Sequence, residues 1–358
     1  MKELFEKKQV NALGLMSGTS MDGLDLALCS FVKEEDGRWD YKIVKAETIP
    51  YTSDIINLLN SAYDCGGAEL VYFDSCYGEY LGYQVTDFLN KHKLNADIIS
   101  SHGHTIFHAP DKGYTCQIGK GSAISAIAKI PVVSDFRSKN VALGGQGAPL
   151  VPIGDMLLFN EYDACINIGG FSNISYYKRK RIAAFDICPA NMAINYFTQK
   201  LGVAYDNNGD IAQSGSLDKD LFQKLNSLAY YKSFSQKSLG REWFESEFLP
   251  LVMNVNIPVN DIIRTITEHI SYQIAKSINY VNANNVLISG GGAYNSFLIE
   301  GVRTHVTSKV HVPDAYIVDF KEAMVFAFLG VLFVKGEENV LSSYTGASRD
   351  SICGTLSV

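Results

Sequence analysis

Three glycine-rich turns and two carboxylates are the residues of this chain whose types and spacing could do chemistry. The first turn, Gly18-Thr19-Ser20-Met21-Asp22-Gly23, offers backbone N–H groups unobstructed by bulky side chains, two hydroxyls and a carboxylate. Amides and hydroxyls of that kind grip polyphosphate, and a carboxylate such as Asp22 holds Mg2+ through water. A plain tight turn would read the same in isolation. Gly169-Gly170 and Gly290-Gly291-Gly292 repeat the feature at corresponding places, which points to one nucleotide gripped from two lobes. Asp186 ends a strand just before a helix, where catalytic groups of α/β proteins tend to lie, and Glu322 opens an apolar helix. Both suit general-base work; their plainer roles are helix capping and interaction with the helix dipole.

His102-Gly103-His104 with His108 follows a strand, and three readings stand: zinc ligation, a polar pocket, or ordinary hydrogen-bonded histidines. Other sites are excluded by spacing. Tyr114 stands where a P-loop ahead of Gly119-Lys120 needs glycine, and there is no G-x-S-x-G elbow, no H-E-x-x-H helix and no G-x-G-x-x-G after a first strand.

The elements that must position these residues read as an α/β chain written twice. Strand, glycine turn, strand, strand, helices, strand, glycine loop, helix, strand runs through 1–150 and again through 151–320, with a last helix at 321–334. The spacing predicts helices at 55–63, 70–89, 192–201, 217–228, 241–253 and 261–281, and a glycine-histidine loop after the strand 98–101. At 358 residues the length suits two domains, and a formal charge of −7 argues against nucleic acid or an acidic membrane as partner. The basic run at 178–181 reads as a solvated hairpin turn. Seven cysteines without a C-x-x-C pair read as reduced thiols. The first residues show no signal-peptide pattern and the longest apolar run, 12 residues, is too short to span a bilayer, so the expected location is the cytoplasm.

In GLMSGTSMDGLD (14–25), SHGHTIFHAP (101–110), PVVSDFR (131–137), GGQGAPLVP (144–152), NIGGFSN (167–173), KSLGREWF (237–244), GGGAYN (290–295) and TGASR (345–349), the chain resembles the anhydro-N-acetylmuramic acid kinases. These belong to the actin, Hsp70 and sugar-kinase superfamily. The resemblance implies a two-lobed actin-like (ASKHA) ATPase fold, each lobe a mixed sheet flanked by helices, with a cleft between them. The lobes would span 1–150 and 151–320, and 321–358 would return toward the first. The implied reaction uses ATP and Mg2+ to open the 1,6-anhydro ring of anhydro-N-acetylmuramic acid with water and phosphorylate O6, in peptidoglycan recycling.

By the same resemblance Asp186 would deprotonate the water and Glu322 would orient it. Gly18, Thr19, Ser20, Met21, Asp22, Gly23, Asp25, Gly169, Gly170, Gly290, Gly291, Gly292 and Asn295 would hold the nucleotide, with Asp22 on the metal. His102, Gly103, His104, Arg137, Gln146, Gly147, Ala148, Pro149 and Asn191 would line the sugar site, and a homodimer is implied. The family's usual Asp-Thr-Gly-Pro-Gly-Asn is here Asp186-Ile187-Cys188-Pro189-Ala190-Asn191, and His104 and Lys120 replace the usual glutamine and aspartate. Because the altered run would border the sugar pocket, a related kinase of different sugar preference, or an ATP-binding regulatory protein, is the alternative.

Overall fold

The computed structural model describes every residue except Met1, Thr19, Ser20, Asp22, Lys180, Ser235 and Gln236, and leaves the side chains of Lys2 and Glu3 undescribed. The chain divides into two compact units. One comprises residues 1–158 together with 320–358, the other 159–319.

The first unit begins with β1 (Gln9–Ser17), β2 (Gly23–Lys33) and β3 (Trp39–Pro50), an antiparallel meander. After the long helix Gly67–His92 come β4 (Ile98–Ser101), the hairpin β5 (His104–Ala109) and β6 (Tyr114–Ile118), the helix Gly121–Ala128 and β7 (Val132–Ser134). β4 pairs parallel to β1, and β7 parallel to β4.

The second unit holds β8 (Ala164–Ile168), β9 (Phe171–Lys178), β10 (Arg181–Pro189), β11 (Asn285–Ser289) and β12 (Lys309–His311). Its sheet runs β10-β9-β8-β11-β12, with the meander antiparallel and the rest parallel. The other sheet runs β13-β7-β4-β1-β2-β3, where β13 (Thr355–Ser357) is an added antiparallel edge. Each unit therefore carries the same five-strand order, three-two-one-four-five, in a mixed sheet, the α/β duplication expected of the actin-like fold.

Alternation along the strands explains why both faces of the first sheet are covered. Leu13, Leu15, Leu24, Leu26 and Leu28 join one core with Tyr77, Leu81, Val85 and Phe88 of the helix Gly67–His92. The opposite face is built from Ala12, Gly14, Ala27, Cys29 and Phe31, all buried. Small residues there let the helix Ala315–Val334 approach closely: a Cβ on Gly14 would collide with the Ala323 carbonyl, Ser100 Oγ donates to the Phe326 carbonyl at 2.5 Å, and Phe31 meets Phe328 at 5.3 Å.

In the second unit, Ile262, Ile266, Ile270, Ile274 and Ile278 of the helix Val259–Val281 recur every fourth residue. They pack with Ile166, Ile168, Ile174, Phe185 and Ile187.

Several expectations change. The run expected as a loop after β4 is the β5–β6 hairpin. The helix expected to open at Glu322 begins at Ala315, where Asp314 Oδ1 accepts from the Ile317 N–H at 3.1 Å, so the helix dipole does not account for Glu322. The stretch 241–253 is helical but passes through a π-helical segment, Phe244–Phe248. The basic run does sit at a hairpin, with Arg181 paired to Lys178 and Arg179 left-handed at φ 49°.

Candidate active site

In the second unit Asp186 lies near the end of β10, where the ladder with β9 slips: Asp186 faces Asn173 and Cys188 faces Ser172, leaving Ile187 as the extra residue. Bulges of this kind re-aim side chains. Three partners hold Asp186. Its N–H donates to the Lys237 carbonyl at 3.0 Å, its carbonyl accepts from the Tyr230 hydroxyl at 2.6 Å, and its Oδ2 accepts from the Leu239 N–H at 2.8 Å. Burial pushes its pKa up from 3.8 to about 6, against the Leu239 N–H and the charge of Lys237, which both pull it down.

Capping is not its role. The helix Asn191–Thr198 has Ala190 at its N-cap with no side-chain hydrogen bond. Instead the Gly169-Gly170 turn supplies the acceptors: Gly170 takes the N–H groups of Ala190 (2.8 Å) and Met192 (3.2 Å), and Gly169 that of Asn191 (3.0 Å). The turn thus directs its carbonyls at the helix, the reverse of what an anion needs from them. Asn191 Nδ2 donates to the Ile168 carbonyl at 3.3 Å.

Gly290 follows β11 with φ +81°, a left-handed conformation in which any Cβ would also strike Asn167 and Ile168. Gly291–Tyr294 then forms a 3-10 turn, and Asn295 caps the helix Ser296–Thr304 by accepting the Leu298 N–H at 2.9 Å. Because β8 and β11 are parallel neighbours, Gly169, Gly170, Asn191 and Gly290 to Gly292 gather at the carboxyl ends of these two strands.

The residues that depart from the family's usual run are buried. Ile187, Cys188 and Ala190 are 2%, 0% and 0% exposed and belong to the core of the second unit. Burial also pushes the Cys188 thiol up to about 12.

In the first unit the turn between β1 and β2 is described at Gly18, Met21 and Gly23; Thr19, Ser20 and Asp22, assigned to nucleotide and metal, lie outside the described residues. Met21 is left-handed at φ 55° and its N–H donates to the Gly18 carbonyl at 3.3 Å. Asp25 Oδ1 accepts from Thr48 Oγ1 at 2.5 Å. At the foot of the turn Ser17 Oγ accepts from the Tyr51 hydroxyl at 2.6 Å and pairs with His104 Nδ1 at 2.8 Å, and Tyr51 pairs with Tyr77 at 2.7 Å.

His102 follows β4, with its N–H on the Leu15 carbonyl at 3.0 Å. Arg137 donates through Nη1 to the Gly147 carbonyl at 2.6 Å and through Nη2 to His102 Nε2 at 2.9 Å. A guanidinium only donates, so His102 Nε2 accepts and the proton of the neutral ring sits on Nδ1. Burial, aided by Arg137, drives the His102 pKa down to about 3, so the ring is neutral. His102 Nδ1 and Arg137 Nε are buried polar atoms without a hydrogen-bond partner among the described residues.

Gly103 is left-handed at φ 71° and donates its N–H to Ser101 Oγ at 3.2 Å. Gln146 and Gly147 are fixed by their N–H groups on the Thr345 carbonyl (2.8 Å) and Asn140 Oδ1 (2.8 Å), and Ala148-Pro149 is cis.

Glu322 is half-buried; burial pushes its pKa up, Asp155 adds to this, and Lys321 and Arg137 oppose it. Beside it, Lys321 Nζ meets Asp155 Oδ1 at 2.7 Å, each side chain only 2% exposed.

Zinc has no support here. No group of three potential ligands occurs among the described residues, Arg137 stands against His102, and His104 is engaged by Ser17 and by the Tyr63 hydroxyl at 3.4 Å. What sequence reasoning missed is the engagement of Asp186 by Tyr230, Lys237 and Leu239. The only signal was the polar run at 237–244.

The sequence profile of the anhydro-N-acetylmuramic acid kinase family matches residues 10–358. Proteins of that name are similar along nearly their whole length. The one from Shewanella loihica is 33% identical over 96% of this chain and 97% of its own, and the one from Caldanaerobacter subterraneus subsp. tengcongensis 30% identical over 99% and 98%. The one from Shewanella frigidimarina is 34% identical over 96% of each.

Proposed function

The chain belongs to the anhydro-N-acetylmuramic acid kinase family, and from that premise we propose that Asp186 is the general base of an ATP-dependent hydration and phosphorylation of the 1,6-anhydro sugar. The observation that carries this reading is the carboxylate itself: re-aimed by a bulge, fixed through one oxygen, and raised to about 6, it is ionised at neutral pH yet basic enough to take a proton from water.

Asp186 removes a proton from water as the water oxygen bonds to C1. The C1–O6 bond breaks, O6 keeps the electron pair and attacks the γ-phosphorus, and the bond to the ADP oxygen breaks. The proton count closes on Asp186, which releases it to solvent. One step supplies the nucleophile of the other, so placement does most of the work.

In this reading Glu322 orients the water, and the turns at 18–23 and 290–292 hold the triphosphate, the Gly169-Gly170 carbonyls being taken by the helix that follows. His102 Nδ1–H and Arg137 Nε–H, donors without a protein acceptor among the described residues, fit sugar oxygens. The carboxylates of the first turn, Asp22 foremost, are the hard oxygen donors that suit Mg2+, which would neutralise phosphate charge. Burial of Ile187, Cys188 and Ala190 in the core supports retention of the family's sugar. No helix among the described residues is long and apolar enough to cross a membrane; a cytoplasmic homodimer active in peptidoglycan recycling completes the proposal.

Reaction in 18O-water tests the chemistry. Label at the C1 hydroxyl and none in the phosphate is expected; label in the phosphate with none at C1 refutes it.

A further inference from the structure

All three backbone and side-chain bonds that hold Asp186 come from two short runs, 230–234 and 237–239, and these are folded around a single ammonium. Lys237 Nζ donates to the carbonyls of Tyr230 at 2.8 Å and Ser233 at 2.5 Å. It stands 3.9 Å from the centre of the Tyr230 ring, with Phe234 at 5.6 Å and Phe185 at 5.8 Å. A cation over an aromatic face that also collects two carbonyls is a strong local clamp. The same tyrosine whose ring it covers donates to the Asp186 carbonyl, and the same lysine's carbonyl accepts the Asp186 N–H.

We propose that Lys237 is a positioning residue for the base: by drawing the Tyr230 and Ser233 carbonyls together, it fixes the Leu239 N–H on Asp186 Oδ2 and leaves Oδ1 to take the proton. This rests on Asp186 being the base. The groups that face the ammonium come from two elements. Asp186 and Cys188 on β10 favour its charge, whereas burial and Lys276 on the helix Val259–Val281 disfavour it, leaving it at about 8. In return the Leu239 N–H and the Lys237 charge are the two influences that hold the Asp186 pKa down. Losing Lys237 therefore removes one and loosens the other, and the carboxyl must become a weaker acid.

The test is the pH dependence of kcat/KM for the anhydro sugar at saturating ATP, in wild type, Lys237→Met, Lys237→Gln, Lys237→Arg and Asp186→Asn. The wild-type acid limb is expected near pH 6. In Lys237→Met it should move up by about one pH unit, the scale of losing a nearby opposite charge, with KM for ATP unchanged. Lys237→Arg, which keeps the charge, should return the limb toward wild type, and Lys237→Gln, which keeps only a donor, should fall between. An unmoved limb in Lys237→Met overturns the proposal, whether turnover survives or falls. Should that variant fail to fold by circular dichroism, equal limbs in the Gln and Arg variants overturn it instead. A wild-type limb that persists in Asp186→Asn would discard the base assignment itself, a separate outcome.

Discussion

Replacing Asp186 by asparagine should make the enzyme slower and the fold sturdier at once. Asn keeps an oxygen for the Leu239 N–H, so the geometry survives, but it cannot take a proton, and turnover should fall by at least about 10². The stability change follows from the raised carboxyl. Moving its pKa from 3.8 unfolded to about 6 folded makes ionisation cost up to about 3 kcal/mol in the native state, less after solvent screening of a group that is not fully enclosed. The sign is set by proton uptake: between those two values the folded chain binds more protons than the unfolded one, so stability is lost as pH rises through the window. The asparagine variant escapes that loss. It should melt a few degrees higher than wild type at pH 8 and match it below about pH 4. ADP release with the anhydro sugar, alongside thermal denaturation at both pH values, measures the two effects. Near-normal turnover, or a melting difference that ignores pH, would refute the reasoning.

Three further outcomes follow from the first unit. Asp155→Ala takes the carboxylate at 2.7 Å from the Lys321 ammonium in a site only 2% exposed and should cost up to about 3–5 kcal/mol in denaturant unfolding, whereas Asp155→Leu with Lys321→Met should recover most of it. His102→Ala removes the unpaired Nδ1 donor and should raise KM for the sugar by about tenfold, the scale of one hydrogen bond to a buried group, while the Kd for nucleotide by calorimetry stays put. Gly14→Val should abolish soluble expression or cost several kcal/mol, since its side chain would have to displace the helix backbone at Ala323.

Much of the fold was legible because it depends on local signals. Alternating apolar strands joined by glycine turns marked both meanders, and their recurrence at matching places marked the duplication. Asp186 stood out because a lone carboxylate follows an apolar strand. The β5–β6 hairpin was hidden because only His104 and Ile106 of β5 are buried, and histidine and glycine mask the alternation. Asp314 was a readable helix start, overlooked because the apolar density of the helix lies further on. The clasp on Asp186 was not legible at all: its Leu239 donor lies 53 residues away in sequence, and nothing local announces a pairing of that range.

The first unit is discontinuous, and this orders events during synthesis. Residues 159–319 form a self-contained stretch of chain, able to consolidate as soon as they leave the ribosome. The meander made earliest must wait, with the face bearing Ala12, Gly14 and Ala27 bare, until residues 320–334 arrive to roof it. The segment translated first is thus among the last to mature, and during that delay the nascent chain offers chaperones an uncovered apolar sheet.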